Sequence, residues 1–211
     1  KYISRRIKKF WNLDSKVVYS PVNTKRFFPD KKKKKEDFYV AFSRLVPYKR
    51  IDLAISAIKN TGRKLIVIGS GSEEKKLKKL AQGDENIIFT GRLPDKDLRK
   101  YLQSAKAMIF CAEEDFGLAP LEAQQCGTAV IAFGRGGAVE TIINEKTGVF
   151  FDKQETESLK NAIEKFEKLY GENHFISEEI TEHAKTFSEE RFIKEFTQAV
   201  EETKQKIAIK N

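Results

Sequence analysis

The sequence predicts an α/β domain built on a doubly wound parallel sheet. Short runs such as "KLIVIG", "AMIFCA" and "AVIAF" are apolar throughout rather than alternating, the pattern of strands buried on both faces. Single helical segments separate these runs, so each strand is followed by a crossover rather than a hairpin. The 211 residues suffice for one such domain or two small ones. Right-handed crossovers then wind the sheet in both directions, and a ligand binds beyond the carboxyl ends of its strands.

The elements come in order. "KYISRRIKKFWNLD" has a helical period, with Tyr2, Ile3, Ile7, Phe10 and Trp11 on one side and Arg and Lys on the other. "KVVYSP" reads as a short strand, and residues 23–37, Lys-heavy with a proline, as a surface loop. Strand "FYVAFS" leads into helix "RIDLAISAIKN", with Ile51, Ala54, Ile55 and Ile58 on one face. Strand "KLIVIG" and helix "EEKKLKKLAQ" come next, then strand "NIIFTG" and helix "PDKDLRKYLQSA". After them stand strand "AMIFCA", a helix over 117–126, strand "AVIAF", helix "AVETIIN" and strand "GVFF". Helices "ETESLKNAIEKFEKL", "SEEITEHAKTF" and "SEERFIKEFTQAVEETKQKI" make the C-terminus helical.

A net charge of +9 admits an anionic partner, although a Lys-rich surface that merely solvates the fold explains it as well. The run Lys31 to Lys35 lacks interleaved aromatics, so it reads as a solvated loop and nucleic acid is not an expected partner. Cys111 and Cys126 lie in apolar runs without a second ligand at metal spacing, which suggests buried free thiols in a reducing cytoplasm. No apolar run approaches the roughly 20 residues of a membrane helix, and no secretory signal is read. A first residue other than Met, inside a helical pattern, suggests a piece of a longer protein. His174 and His183, in the helical C-terminal region, read as surface or packing residues.

Function is sought in the loops after the strands: residues 43–50, 69–73, 90–94, 112–117 and 133–137. In "EEDFGLAPLEAQQCG", Pro120 fits only a first helical turn, so a helix begins near Gly117 and ends at Gly127. The free N–H groups near Phe116 to Ala119 then face the crevice with the positive end of the dipole. Glu114 stands before that end and Glu122 about a turn inside, two carboxylates suited to the adjacent hydroxyls of a sugar or ribose. The plainer alternative makes Glu114 a cap and Glu122 a surface acid. In "SRLVPYKRID", Arg44 and Lys49 can converge on a diphosphate, or stay solvated. "GSGSEE" lacks the third glycine of a dinucleotide fingerprint, and Glu73 and Glu74 repel phosphate, so Gly69 and Gly71 are expected to make a tight turn close to a ligand. In "FGRGGAVE", Gly136 and Gly137 allow close backbone approach, Arg135 could reach an anion and Glu140 could brace the loop; a plain strand-to-helix turn is the alternative.

These residues resemble the Glu-x7-Glu signature of family-four retaining glycosyltransferases with the GT-B fold. "FSRLVPYKRIDLAISAI", "LIVIGSGSEEKKL", "IIFTGRLPDKDLRKYLQSAKAMIF", "GRGGAVETI" and "TGVFF" stand in the family's order, and the likeness is strong over residues 17–151. The resemblance implies a Rossmann-like, donor-binding, C-terminal half of a GT-B protein, closer to mannosyltransferase-like members. It implies that Glu114 holds sugar hydroxyls, helped by the N–H groups of Phe116, Gly117 and Leu118. Glu122 would bind the ribose, Arg44 and Lys49 the leaving diphosphate, Gly91, Arg92 and Leu93 the base through their backbone, and Gly69 would lie near the nucleotide. Asp115 departs from the glycine of many members, and Ala129 from a frequent proline.

By the same resemblance, residues 1–20 are expected to be the end of an absent N-terminal domain and linker, 21–187 the nucleotide-sugar domain and 188–211 a C-terminal helix. The full protein would transfer a hexose, mannose from GDP-mannose by resemblance, to a glycan or lipid-linked acceptor, with no metal or other cofactor. The expected setting is cytoplasmic. The Lys-rich loop and basic first helix offer membrane-surface contact, with a solvated surface as the simpler reading. A GT-B nucleotide-sugar epimerase, a phosphorylase, a basic nucleic-acid-binding module and an NAD-linked dehydrogenase are the competing classes. No pyridoxal-phosphate lysine is recognisable for the phosphorylase route. The acids and glycines at the strand ends argue against the nucleic-acid module, and the broken glycine fingerprint against the dehydrogenase.

Overall fold

A computed structural model of the chain describes residues 1–208, with side chains to residue 205. Its centre is a six-stranded, all-parallel sheet in the order β3-β2-β1-β4-β5-β6. The strands are β1 Tyr39–Phe42, β2 Leu65–Ile68, β3 Ile87–Gly91, β4 Ala107–Phe110, β5 Ala129–Phe133 and β6 Gly148–Phe151. Helices are α1 Tyr2–Trp11, α2 Ile51–Ile58, α3 Glu74–Ala81, α4 Asp95–Ser104, α5 Leu118–Gln125, α6 Ala138–Thr141, α7 Thr156–Gly171, α8 Ser177–Lys185 and α9 Glu189–Ala208. The C-terminal helix expected over 188–211 is thus present as α9, and residues 209–211 lie outside the described part.

The apolar runs become strands because each has two covers. Tyr39, Ala41, Leu65, Val67, Ala107 and Ile109 face a core completed by α2, α3 and α7, whereas Val40, Phe42, Ile66, Ile68, Met108 and Phe110 face one completed by α4, α5 and α6. Alternate residues point to opposite faces, so no position on a central strand can be polar without burying an unpaired group. A smaller cluster, Val22, Leu121 and Phe187 with Tyr19 and Phe116, joins the segment after α1 to α5 and the chain before α9.

Two expected elements are corrected. "KVVYSP" forms no strand; the segment has no sheet partner and is fixed instead where the Val22 N–H donates to the Phe187 carbonyl at 2.9 Å. β-branched residues favour extended backbone, but a strand needs a neighbour with free ladder groups. The "AVETIIN" helix is only Ala138–Thr141, because Ile142 turns to φ −118°, ψ 133° and the chain enters the bridge Asn144–Gly148. Gly148 is required there, since a Cβ would stand 2.0 Å from the Val130 carbonyl oxygen.

The strand order reverses direction between β1 and β4, which pair directly. The loops leaving these strands therefore diverge from one crevice at the centre of the sheet's carboxyl edge. They are the loop to Arg50 and the loop to Gly117, the two that carry Arg44, Lys49 and Glu114.

Candidate functional site

The loop after β1 is short and over-determined. The Ser43 N–H donates to the Ile68 carbonyl at 3.1 Å and the Leu45 N–H to the Ser70 carbonyl at 2.9 Å, so it lies against the loop after β2. Gly69 and Gly71 exist for this contact. A Cβ at Gly69 would sit 1.9 Å from the Ser43 carbonyl oxygen, and one at Gly71 2.3 Å from that of Leu45. A 3-10 turn, Pro47–Lys49, then presents Lys49.

The loop after β4 ends as the sequence required. Gly117 is the N-cap of α5 at φ +80°, no side chain caps the helix, and Pro120 lies in its first turn. Gly127 comes just after α5, at φ +76°. The N-terminal N–H groups of α5 thus open on the crevice without a side-chain acceptor, a site for an anion or a hydroxyl oxygen. The Phe116 side chain does not enter the crevice; it stacks on Tyr19 with centroids 5.6 Å apart.

The charged residues assort into two groups. The Lys49 ammonium donates to the Glu114 carboxylate, and both side chains are largely shielded. This pair bridges the loops after β1 and β4 directly. Arg44, Gly69, Arg92 and Leu93 line one open cavity of about 860 Å³, together with Arg26, Phe42, Ser43, Ile68, Ser70, Pro94, Asp95 and Leu98. Lys49, Glu114 and the start of α5 are outside that lining. Gly91, at φ +70°, ends β3 beside it, and the Gly69 N–H donates to its carbonyl at 2.9 Å.

Glu122 sits on α5 with its carboxyl pushed above the ordinary range, first by desolvation; Asp95 raises it further, and the nearby Arg26 cation opposes the shift. Among the described residues nothing donates a hydrogen bond to its carboxylate. A half-buried carboxylate without a donor is a costly arrangement that a ligand's hydroxyls would relieve.

Sequence reasoning missed Arg26 and Asp95. They form an ion pair on the cavity wall, with side chains 49% and 48% exposed, so they remain accessible to a ligand. Asp95 opens α4, one residue past the loop 90–94, and a carboxylate in the first turn after a strand was the available signal. Arg26 carried no signal, lying in a loop with the composition of plain surface.

The "FGRGGAVE" loop needs correction. Gly136 and Gly137 allow close approach, but to protein: a Cβ would meet the Glu114 carbonyl oxygen at 2.3 Å or the Phe116 Cα at 2.2 Å. The Gly137 N–H donates to the Glu114 carbonyl at 2.7 Å, so the loop after β5 props the loop carrying Glu114. Glu140 does not brace that turn. It accepts from the Tyr2 N–H at 2.5 Å and the Tyr19 hydroxyl at 2.7 Å. α1 is further tied by Tyr2 Oη donating to Glu113 at 3.0 Å and Arg6 donating to Asp115 at 3.0 Å. Arg135 sits with its guanidinium 5.8 Å from the Phe133 ring centroid.

The Lys run is also not uniformly solvated. Lys35 donates to the Thr128 Oγ1 at 2.5 Å, and desolvation pulls its ammonium down from 10.5 to about 7. Phe27 and Phe38, both buried, draw the loop onto the sheet and carry Lys35 under it. Cys111 and Cys126 are buried free thiols as expected. His183 packs edge-on to Phe187, with Nε2 3.0 Å from the Thr141 carbonyl oxygen, and His174 faces Glu172 at 3.4 Å.

A doubly wound sheet whose crevice combines an uncapped helix start, an acid on either side of it and cations on the facing loop defines a Rossmann-like domain of the GT-B kind. The family model described as "Glycosyl transferases group 1" matches residues 22–183, and the chain belongs to that family. A GDP-mannose-dependent alpha-(1-6)-phosphatidylinositol monomannoside mannosyltransferase of Mycolicibacterium smegmatis is 29% identical over 170 residues, covering 67% of this chain and 44% of the relative. Sucrose-phosphate synthase from Thermosynechococcus elongatus has a similar fold, with TM-score 0.81 and 21% identity, over 94% of this chain and 56% of that one. So does the pneumococcal O-GlcNAc transferase GtfA in complex with UDP and GlcNAc, with TM-score 0.78 and 20% identity, over 95% of this chain and 42% of that one. The chain thus spans about half the length of these relatives. No helix among the described residues is long and apolar enough to cross a membrane.

Proposed function

We propose that this chain is the donor-binding half of a retaining hexosyltransferase, taking mannose from GDP-mannose for a glycan or lipid-linked acceptor. The observation that carries the reading is Glu122: a desolvated carboxylate without a donor, one turn inside a helix whose N-terminus is open, within reach of the charges of Arg26 and Asp95, which line the cavity with Arg44. Ribose hydroxyls would satisfy Glu122. The phosphates would lie toward Arg44, Lys49 and the start of α5, with Gly69 underneath. The base would lie against Gly91, Arg92 and Leu93, and the sugar hydroxyls on Glu114 and the N–H groups of Phe116, Gly117 and Leu118. The GDP-mannose-dependent relative supports the choice of donor.

In the transfer, the bond from the anomeric carbon to the diphosphate oxygen breaks and a bond to the acceptor oxygen forms on the same face of the sugar. Arg44 and Lys49 stabilise the charge growing on the leaving diphosphate. The leaving phosphate oxygen takes the proton of the acceptor hydroxyl, so no side-chain base is required. Lys49 is held by Glu114 in the donor-free site. Donor binding replaces that pair by two others, lysine with phosphate and glutamate with sugar hydroxyls, so neither charge is left bare.

Calorimetry across GDP-mannose, UDP-glucose, UDP-GlcNAc and ADP-glucose tests the reading. Binding of GDP-mannose without turnover by this chain alone is expected. Absence of binding to all four would overturn it.

A further inference from the structure

We infer that Arg26 and Asp95 form a base-reading pair that selects guanine; the inference rests on the donor site proposed above. A nucleotide runs from phosphate through ribose to base. With the phosphates toward Arg44 and the ribose on Glu122, the groups next to Glu122 receive the base. Those groups are Arg26 and Asp95, the two charges whose fields reach Glu122. Both line the cavity with Arg92, Leu93 and Pro94.

Their placement is fixed by the surrounding chain. Asp95 is the first residue of α4. Arg26 is held at both ends of its backbone unit: its N–H donates to Asn23 Oδ1 at 2.8 Å, and its carbonyl accepts from Arg99 Nη1 at 2.9 Å. Phe27, 1% exposed, anchors the next residue in the core. The ion pair joins residues 69 apart in the chain, and its half-exposed side chains are presented rather than buried.

The pair has the polarity of one base. A carboxylate only accepts, and a guanidinium only donates through five N–H groups. Guanine presents two adjacent donors, N1–H and the 2-amino group, beside the O6 acceptor. Asp95 can take both donors while Arg26, bound to Asp95 through Nη2, turns a remaining N–H to O6. Adenine puts the N1 lone pair where guanine has N1–H, against the carboxylate. Uracil has one donor, N3–H, flanked by two carbonyls. A site built on such bonds rejects a base that leaves them unpaired.

The experiment measures dissociation constants of this chain for GDP, IDP, UDP and ADP, and of the Asp95→Asn variant for GDP and XDP. GDP should bind at least about tenfold more tightly than UDP or ADP, the scale of one lost charge-assisted bond. IDP, which lacks the 2-amino group, should also bind less tightly than GDP. Asp95→Asn should weaken GDP by about tenfold or more and improve XDP, whose C2 carbonyl meets the new amide N–H. The wild-type series needs no variant to fold. Equal affinity for GDP and UDP, or for GDP and IDP, would overturn base reading by this pair and leave the donor site standing. Failure of every diphosphate to bind would overturn the donor site and this inference together.

Discussion

Replacing Lys35 by Met should stabilise the fold, and by an amount that depends on pH. The Lys35 ammonium is desolvated beneath the loop and keeps one neutral partner, Thr128. Its folded pKa of about 7, against 10.5 unperturbed, means that between these values the unfolded chain holds a proton that the folded one has released. Stability therefore rises with pH across that window and is lowest below about 7, where the charge is buried. The difference converts to an upper bound of about 5 kcal/mol. The lost bond to Thr128 subtracts about 1 kcal/mol. Thr128 retains its own bond to the Leu102 carbonyl, so the variant leaves no orphan hydroxyl. Met is close in length and apolar. The expectation is a gain of about 3 kcal/mol at pH 6, shrinking below about 1 kcal/mol at pH 10. Urea denaturation of both proteins at about pH 6, 8 and 10 reads it. A gain that is the same at every pH, or a loss at the most acidic point, would refute the reasoning.

Other outcomes are as sharply defined. Arg44→Ala and Glu122→Ala should each weaken nucleotide binding by at least about 1 kcal/mol, the scale of a charge-assisted bond, and calorimetry with GDP, UDP and ADP would show it. Burial raises the pKa of Glu122, so its charge costs stability once it is ionised. Glu122→Gln should accordingly raise the melting temperature at neutral pH, and the advantage should fade in acid as Glu122 takes up its proton. Gly69→Ala should collapse the soluble yield, because Gly69 has φ +133° and its Cβ would overlap the Ser43 carbonyl; a normal melting curve for that variant would contradict the geometry. Burial pushes the Cys126 thiol up to about 12, so a disulfide reagent in mildly alkaline buffer should leave it unmodified in the native protein and label it quickly in urea.

The sheet was legible because its chemistry is local. A run such as Leu65–Ile68 can only be a strand covered on both faces, and the alternation of helices fixed the rest. The Gly117–Pro120 start of α5 was legible for the same reason, since two residues with restricted backbones left one solution. What escaped depends on which distant segments meet. Val17 and Val18 have strand chemistry but no neighbouring ladder. Lys35 is one of five consecutive lysines, and nothing in the run marks it for burial before the loop docks. Arg26 and Asp95 meet across 69 positions, and neither sequence neighbourhood announces the other. Glycines misled in the loop after β5: Gly136 and Gly137 mark places where main chain presses on main chain, a reading that pattern alone cannot separate from room left for a ligand.

The first helix leaves Phe10 and Trp11 bare to solvent, yet its opening turns are stapled through Tyr2 and Arg6 to Glu113 and Asp115, the neighbours of Glu114. Such a helix is a lever arm. Whatever grips its greasy far end would tug, through two side chains, on the loop that holds Glu114, and so transmit force to the crevice without entering it.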